Sequence, residues 1–177
     1  MTIVPEDKDW TWVLQQPCSD CGFDAPAFDP DRTGPAVRWM GARWSDVLAR
    51  PDVAVRPDES TWSPLEYACH VRDVFRIFDG RLDRMLTEVD PLFQNWDQDA
   101  TAIDEHYGEQ DPVTVAAELV AAADAIAARF DTVQGDAWER VGRRSDDKNF
   151  TVDTFARYFV HDPLHHLHDV GDGAPLP

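Results

Sequence analysis

Four stretches of the chain repeat their hydrophobic residues at intervals of about 3.6 positions, the spacing that places side chains on one face of an amphipathic helix. In the second stretch, for example, Phe75, Phe78 and Leu82 share such a face. Patterns typical of strands are weak throughout. The sequence therefore predicts an all-α fold, a four-helix bundle with long connections, its helices covering approximately residues 34–49, 64–88, 112–130 and 151–170.

Residues that satisfy free backbone groups mark the ends of these helices. Ser63 is an N-cap candidate, Pro64 takes the first helical position, and Glu66 stands where a capping box requires it. An aspartate–proline pair at 111–112 opens the third helix in a similar way. Gly171 is a typical C-terminal stop for the fourth helix.

The segments between and before the helices are irregular. Residues 1–33 are rich in turn-forming residues and form an irregular N-terminal leader, whose tryptophans we expect to pack on the bundle. The bundle itself is assigned to residues 34–177, with no second domain. The connection at 89–110 is long for a compact domain, and connections of that length often carry function.

Composition and charge limit the classes of function. The chain has 177 residues, 43% of them hydrophobic, and a formal net charge of −18. A surface this acidic repels phosphate backbones and anionic lipids, so we expect neither nucleic-acid nor membrane partners. No apolar run is long enough to span a bilayer, and the acidic segment Met1–Asp9 does not look like a signal peptide. A cytoplasmic protein is expected.

Three cysteines are too few for a disulfide scaffold, which also indicates a reducing compartment. Cys18 and Cys21 form a C-x-x-C pair, and we favour unpaired thiols or a local structural element, with redox chemistry or metal capture as the alternative. Cys69 is interpreted as a small core residue and not as a ligand. The side chains of adjacent helical residues point in different directions, so Cys69 cannot face the same site as its neighbour His70.

Histidines are the most informative residues for chemistry. His161 and His165 lie four positions apart, so their rings project from one face of the fourth helix and suit a shared divalent metal. His70 on the second helix is the leading candidate for a third ligand, because His168 lies about 10 Å along the helix axis from His161. Equally open is a purely structural role for these rings. Pro163 lies between the paired histidines and is expected to loosen the backbone.

The order and spacing of these residues resemble the DinB/YfiT-like superfamily. The string from Trp62 to Asp73, with serine, glutamate, histidine and aspartate at matching intervals, looks like the second-helix pattern of that family. The histidine pair His161-x-x-x-His165 is similar to its fourth-helix motif. The resemblance covers approximately residues 34–170 and leaves the leader outside.

That resemblance implies a DinB-like four-helix bundle that holds a divalent metal, zinc or nickel most typically, on His70, His161 and His165. Relatives with known activity include a maleylpyruvate isomerase and transferases that use a low-molecular-weight thiol such as mycothiol or bacillithiol. A thiol co-substrate, a small-molecule substrate and a homodimer are therefore expectations for this chain as well. Three imidazoles alone suit zinc, nickel, copper or iron.

Two further residues are assigned near the site. Asp73 lies one turn after His70 and is a candidate to support a ligand imidazole or a substrate donor. An ion pair with Arg72 or Arg76 is its alternative role. Trp96, in the acidic segment 95–99, is a candidate wall of a substrate pocket, the alternative being a solvated loop.

The sequence supports three interpretations of function. The first is a metal-dependent enzyme that activates a thiol or water, as a thiol S-transferase or a hydrolase. In the second, the same fold is a non-catalytic metal- or small-molecule-binding module of a stress response. The third is a structural bundle whose histidines bind nothing. The arginines at 143 and 144 either serve an anionic substrate group or belong to the surface.

Overall fold

The computed structural model describes residues 9–177, and the predictions made for the first eight residues lie outside that range. Four long helices form the bundle, with α1 and α2 each packed against both α4 and α5. The predicted four-helix bundle is confirmed. A short extra helix, α3, lies in the connection before α4. The helices are α1 (Thr33–Leu48), α2 (Pro64–Thr87), α3 (Gln98–Asp104), α4 (Pro112–Phe130) and α5 (Val152–Asp169).

A small sheet corrects the all-α prediction. Its strands are β1 (Leu92–Phe93), β2 (Val141–Arg144) and β3 (Lys148–Thr151). β1 pairs in parallel with β2, and β2 pairs antiparallel with β3. Both long connections therefore meet at one end of the bundle, where they build an edge beside α2 and α5.

Local capping explains where the two site-bearing helices begin and end. The amide of Ser63 donates to Glu66 Oε2 at 2.8 Å, and the amide of Glu66 donates to Ser63 Oγ at 3.3 Å, which completes the predicted capping box of α2. A similar reciprocal pair, Thr151 and Thr154, opens α5. Gly171 has φ 73° and ends α5, a conformation that favours glycine.

The core fixes the position of α5, which continues through Pro163. Trp44 of α1 is fully buried, and its Nε1 donates to the carbonyl of Pro163 at 3.3 Å. On the other side of α5, the ring of Phe155 stacks on Phe78 of α2 with centroids 4.8 Å apart. The helix is therefore held from both α1 and α2, close to the histidine-rich turn.

The described part of the leader lies along α5. Val13, Cys18 and Ala25 are buried, although the leader forms only short 3₁₀ turns at Trp10–Leu14 and Pro30–Arg32. The guanidinium of Arg157 on α5 donates to the leader carbonyl of Ala25 at 2.8 Å. Within residues 9–177, no helix combines the length and the apolar character that crossing a membrane requires.

Candidate functional site

An open cavity of about 770 Å³ lies between the leader, α2, α5 and the segment that follows β1. Aromatic rings form much of its wall, and histidines, carboxylates and two arginines lie among them. The mixture suits a small polar molecule that also carries apolar surface. The lining includes Trp10, Trp62, Tyr67, Phe78, Arg81, Trp96, Arg144, Tyr158, His161, Asp162, His165, His166 and Asp169.

Two residue pairs on α5 share the same four-position spacing, offset by one residue. Because successive residues of an α-helix are about 100° apart, the two pairs face different neighbours. One pair, His161 and His165, faces the leader and comes together with Cys18 and Cys21. The other pair, Asp162 and His166, faces α2 and comes together with His70.

The group formed by His70, Asp162 and His166 has the character of a metal-binding set. One ligand atom from each residue lies within 4.8 Å of the others. His70 Nε2 is 3.4 Å from Asp162 Oδ1. Among the described residues, neither ring nitrogen of His70 nor this carboxylate oxygen has a hydrogen-bond partner, although all three atoms are buried. Buried polar atoms without partners are costly, and a cation between His70 Nε2 and Asp162 Oδ1 would satisfy these two atoms.

Aromatic contacts fix the orientation of these rings. Trp96 stacks on His70 with centroids 5.2 Å apart and planes 6° apart. Trp62 packs on the same imidazole at 5.6 Å, and Tyr67 lies 4.9 Å from the ring of His166. Trp96 also lines the cavity, the position for which the sequence proposes it as a candidate wall.

Two carboxylates set the charge of this group. Burial raises the pKa of Asp162, but the imidazoles of His70, His166 and His161 outweigh it and lower that pKa to about 2. Burial also raises the pKa of Asp169, but its hydrogen bond with His166 outweighs that effect, and the pKa lies below its usual value. The Nδ1 of His166 donates to Asp169 Oδ2 at 2.9 Å. This tautomer places the ring's lone pair on Nε2, the atom that lies 3.9 Å from Asp162 Oδ1.

A desolvated guanidinium lies in the same cavity. Arg81 is buried, and burial together with the nearby Arg144 lowers its pKa to about 10. It donates to the carbonyl of Gln94 at 2.8 Å, and no carboxylate pairs with it within the described range. By contrast, Arg144 forms an ion pair with Asp146, with 2.7 Å between Nε and Oδ1. Among the described residues, Arg81 is therefore a cavity cation without a direct carboxylate partner, although carboxylates such as Asp146 also line the cavity.

The second group joins the leader to α5. The Sγ of Cys18 is 3.6 Å from His165 Nδ1, and the four ligand atoms of Cys18, Cys21, His161 and His165 all lie within 4.8 Å of one another. Trp10 covers both histidine rings, with centroid distances of 5.4 and 4.9 Å. Burial lowers the pKa of His165 and raises that of Cys21 to about 12.

The three ligands predicted from the sequence are divided between these two groups: His70 belongs to one, His161 and His165 to the other. Asp73 lies elsewhere, paired with Arg72 at 2.9 Å and accepting a hydrogen bond from Tyr107 at 2.6 Å. That contact matches its alternative role as an ion-pair partner.

Sequence reasoning gave no role to Asp162 or Arg81, and it favoured a structural or solvated role for His166. Asp162 and His166 carried a usable signal, because they have the same spacing as the histidine pair one position earlier. Arg81 gave no signal beyond its position on an amphipathic helix. Cys69 is buried, as expected of a core residue, and lies in neither group.

Fold and site together define a four-helix-bundle protein with histidine and carboxylate groups beside an open cavity. The family model of the DinB superfamily matches residues 38–170, and the chain belongs to that superfamily. Among solved structures, YfiT from Bacillus subtilis is similar, with a TM-score of 0.70 and 18% identity over 78% of this chain and 82% of that one. It is described as a probable metal-dependent hydrolase with an unusual four-helix bundle topology. At this identity the likeness concerns the fold. No curated protein matches the chain.

Proposed function

We propose that the protein is a divalent-metal-dependent enzyme that acts on a small anionic molecule in the cavity. One observation carries the proposal: buried atoms of His70 and Asp162 that lack hydrogen-bond partners converge with His166 beside the open cavity. The description of YfiT as a metal-dependent hydrolase supports a metal in a protein of this fold. His70, Asp162 and His166 are the ligands in this proposal, in place of the sequence-predicted set.

The donor set fits a catalytic metal. Two imidazoles and one carboxylate are ligands of open zinc sites, and they suit nickel or iron(II) as well. Three protein ligands leave room for a further one from solvent or substrate. A divalent cation held there supplies the positive charge that lowers the pKa of a thiol or water to near neutrality.

The protein's own residues orient the ligands and bind the substrate. Asp169 accepts the Nδ1 proton of His166 and so directs Nε2 toward the site. Trp96, stacked on His70, holds that ring in place. Arg81 supplies the charge for an anionic group of the substrate, since a desolvated guanidinium without a carboxylate partner gains from binding one.

The choice between water and a thiol as nucleophile defines the reaction. YfiT's description favours hydrolysis, whereas the resemblance to mycothiol- and bacillithiol-dependent relatives favours thiol transfer. The protein is loaded with zinc or nickel and assayed for hydrolysis of aryl esters and for conjugation of a low-molecular-weight thiol to an electrophile. We expect turnover in one assay, lost on chelation and restored when metal is returned. Metal bound in the cavity without turnover in either assay would contradict the enzyme and favour the non-catalytic binding module.

Arg81 gives a test of substrate charge. For the most active substrate of that screen, Arg81→Met should raise KM about 10- to 100-fold, because it removes a charge-assisted contact, with little change in kcat. Arg84→Met, one turn further along α2 and outside the cavity lining, is the matched control and should leave KM unchanged. An equal rise in KM for a neutral analogue of the substrate would show that Arg81 acts on structure and not on the anion.

A further inference from the structure

The second cluster of metal-ligating side chains is separate from the proposed catalytic group and has different chemistry. We infer that Cys18, Cys21, His161 and His165 bind a structural zinc ion that fastens the leader to α5. The inference stands on the arrangement of these four residues and does not depend on the protein being an enzyme.

The ligand types and their spacing suit zinc. A pair of thiols with two residues between them and a pair of imidazoles with three residues between them form the Cys₂His₂ set of structural zinc sites. In this chain the pairs are distant, since Cys18 and His165 are 147 positions apart. The fold brings them together.

The distances also suit a tetrahedral ion. Zn–S bonds of about 2.3 Å and Zn–N bonds of about 2.1 Å place neighbouring sulfur and nitrogen ligands about 3.6 Å apart. The Sγ of Cys18 lies 3.6 Å from His165 Nδ1, and the whole set of ligand atoms fits within 4.8 Å.

The backbone turn that contains the two cysteines directs both thiols to the same side. The amide of Gly22 donates to the carbonyl of Cys18 at 2.9 Å, and the amide of Cys18 donates to the carbonyl of Phe23 at the same distance. Gly22 has φ 75°, the left-handed conformation that favours glycine. The chain therefore reverses directly after Cys21, so that both sulfur atoms face α5.

Burial indicates a structural ion and not a second catalytic one. Cys18, His161 and His165 are each less than a tenth exposed, and the rings of Trp10 and Phe23 lie against His161. Four protein ligands complete a tetrahedral shell and leave no position for substrate. Two thiolates also neutralise the charge of the ion, which removes most of the cost of burying it.

The leader needs such a constraint. Its described part has no α-helix before Thr33, so little backbone hydrogen bonding holds it in one conformation. Yet it supplies Asp9 and Trp10 to the wall of the cavity. Zinc binding contributes directly to folding in sites of this kind. The ion would therefore hold one wall of the substrate cavity in place.

Zinc X-ray absorption on the untagged full chain tests the inference. The protein is purified under reducing conditions and dialysed against a mild chelator, which removes loosely held metal. About one zinc per chain should remain, with a shell of two sulfur and two nitrogen atoms. A zinc shell without sulfur would overturn the inference, as would zinc-free protein that retains its leader fold, whether its cysteines are thiols or a Cys18–Cys21 disulfide.

Variants separate this site from the catalytic proposal. The double variant Cys18→Ser, Cys21→Ser should lose the retained zinc, whereas Cys69→Ser, a buried thiol outside both groups, should keep it. An Asp162→Asn, His166→Ala variant should also keep it. If the double cysteine variant does not fold, the absorption spectrum of the parent decides. Zinc retained by a folded variant that combines both cysteine changes with Asp162→Asn and His166→Ala contradicts the site without affecting the proposed enzyme, because the cavity group can no longer hold that zinc.

Discussion

Replacing His166 by alanine is expected to weaken metal binding in the cavity by more than about 100-fold and to abolish metal-dependent turnover. Loss of a residue that merely orients a ligand costs about 10- to 100-fold in metal affinity, so loss of a ligand itself should exceed that range. The substitution also leaves His70 and Asp162 as the only ligands of the group, too few for a stable open site. Asp162→Asn should have a similar but smaller effect, because it keeps an oxygen ligand and loses the charge.

Competitive titration against a chromophoric chelator measures this affinity, and the assays described above measure turnover. His168→Ala is the matched control, since His168 lies on the same helix but belongs to neither group. His161→Ala provides the decisive comparison. If His161→Ala empties the cavity metal and His166→Ala does not, the sequence-predicted triad of His70, His161 and His165 is the correct ligand set and the proposed one is wrong.

Replacing Trp44 by alanine is expected to lower the free energy of unfolding by about 3–5 kcal/mol, the range for deleting a large aromatic side chain from a core. Trp44 is fully buried, and the cavity left behind would lie against α5 at Pro163. Trp44→Phe keeps most of the packing and loses the indole hydrogen bond, so it should cost less.

Urea denaturation followed by circular dichroism measures the change, with the slope of the transition expected to stay constant. Trp39→Ala on the same helix serves as the control, because Trp39 is only partly buried and should cost less than half as much. A loss below about 1 kcal/mol for Trp44→Ala would show that the surrounding core collapses into the space or that the site is less tightly packed than described.

Helices were predictable because their signals are local. The hydrophobic period and the caps at Ser63 and Gly171 lie within the segments that they define, and the structure reproduces them. Strands of two to four residues carry no such signal. Leu92 becomes a strand residue only because it pairs with Arg143, a partner in another connection, and such pairing is invisible in either segment alone.

In the candidate site, too, features within one helix were predictable, whereas contacts between distant segments were not. Periodicity on α5 indicated that residues four positions apart share a face, but it could not decide between His161 with His165 and Asp162 with His166. That decision depends on which neighbours α5 meets, namely Cys18 of the leader on one side and His70 on the other. A difference of one residue in register thus separates two metal-binding hypotheses.

The distance along the chain between the partners also determines when they can meet. At about 5–20 residues per second, a ribosome needs about 7–30 s to travel the 147 positions from Cys18 to His165. During that time the nascent chain carries its thiols, and later also His70, without the α5 side chains that complete either group. Ions cannot be captured in these arrangements before α5 has emerged, so metal loading follows the synthesis of that helix.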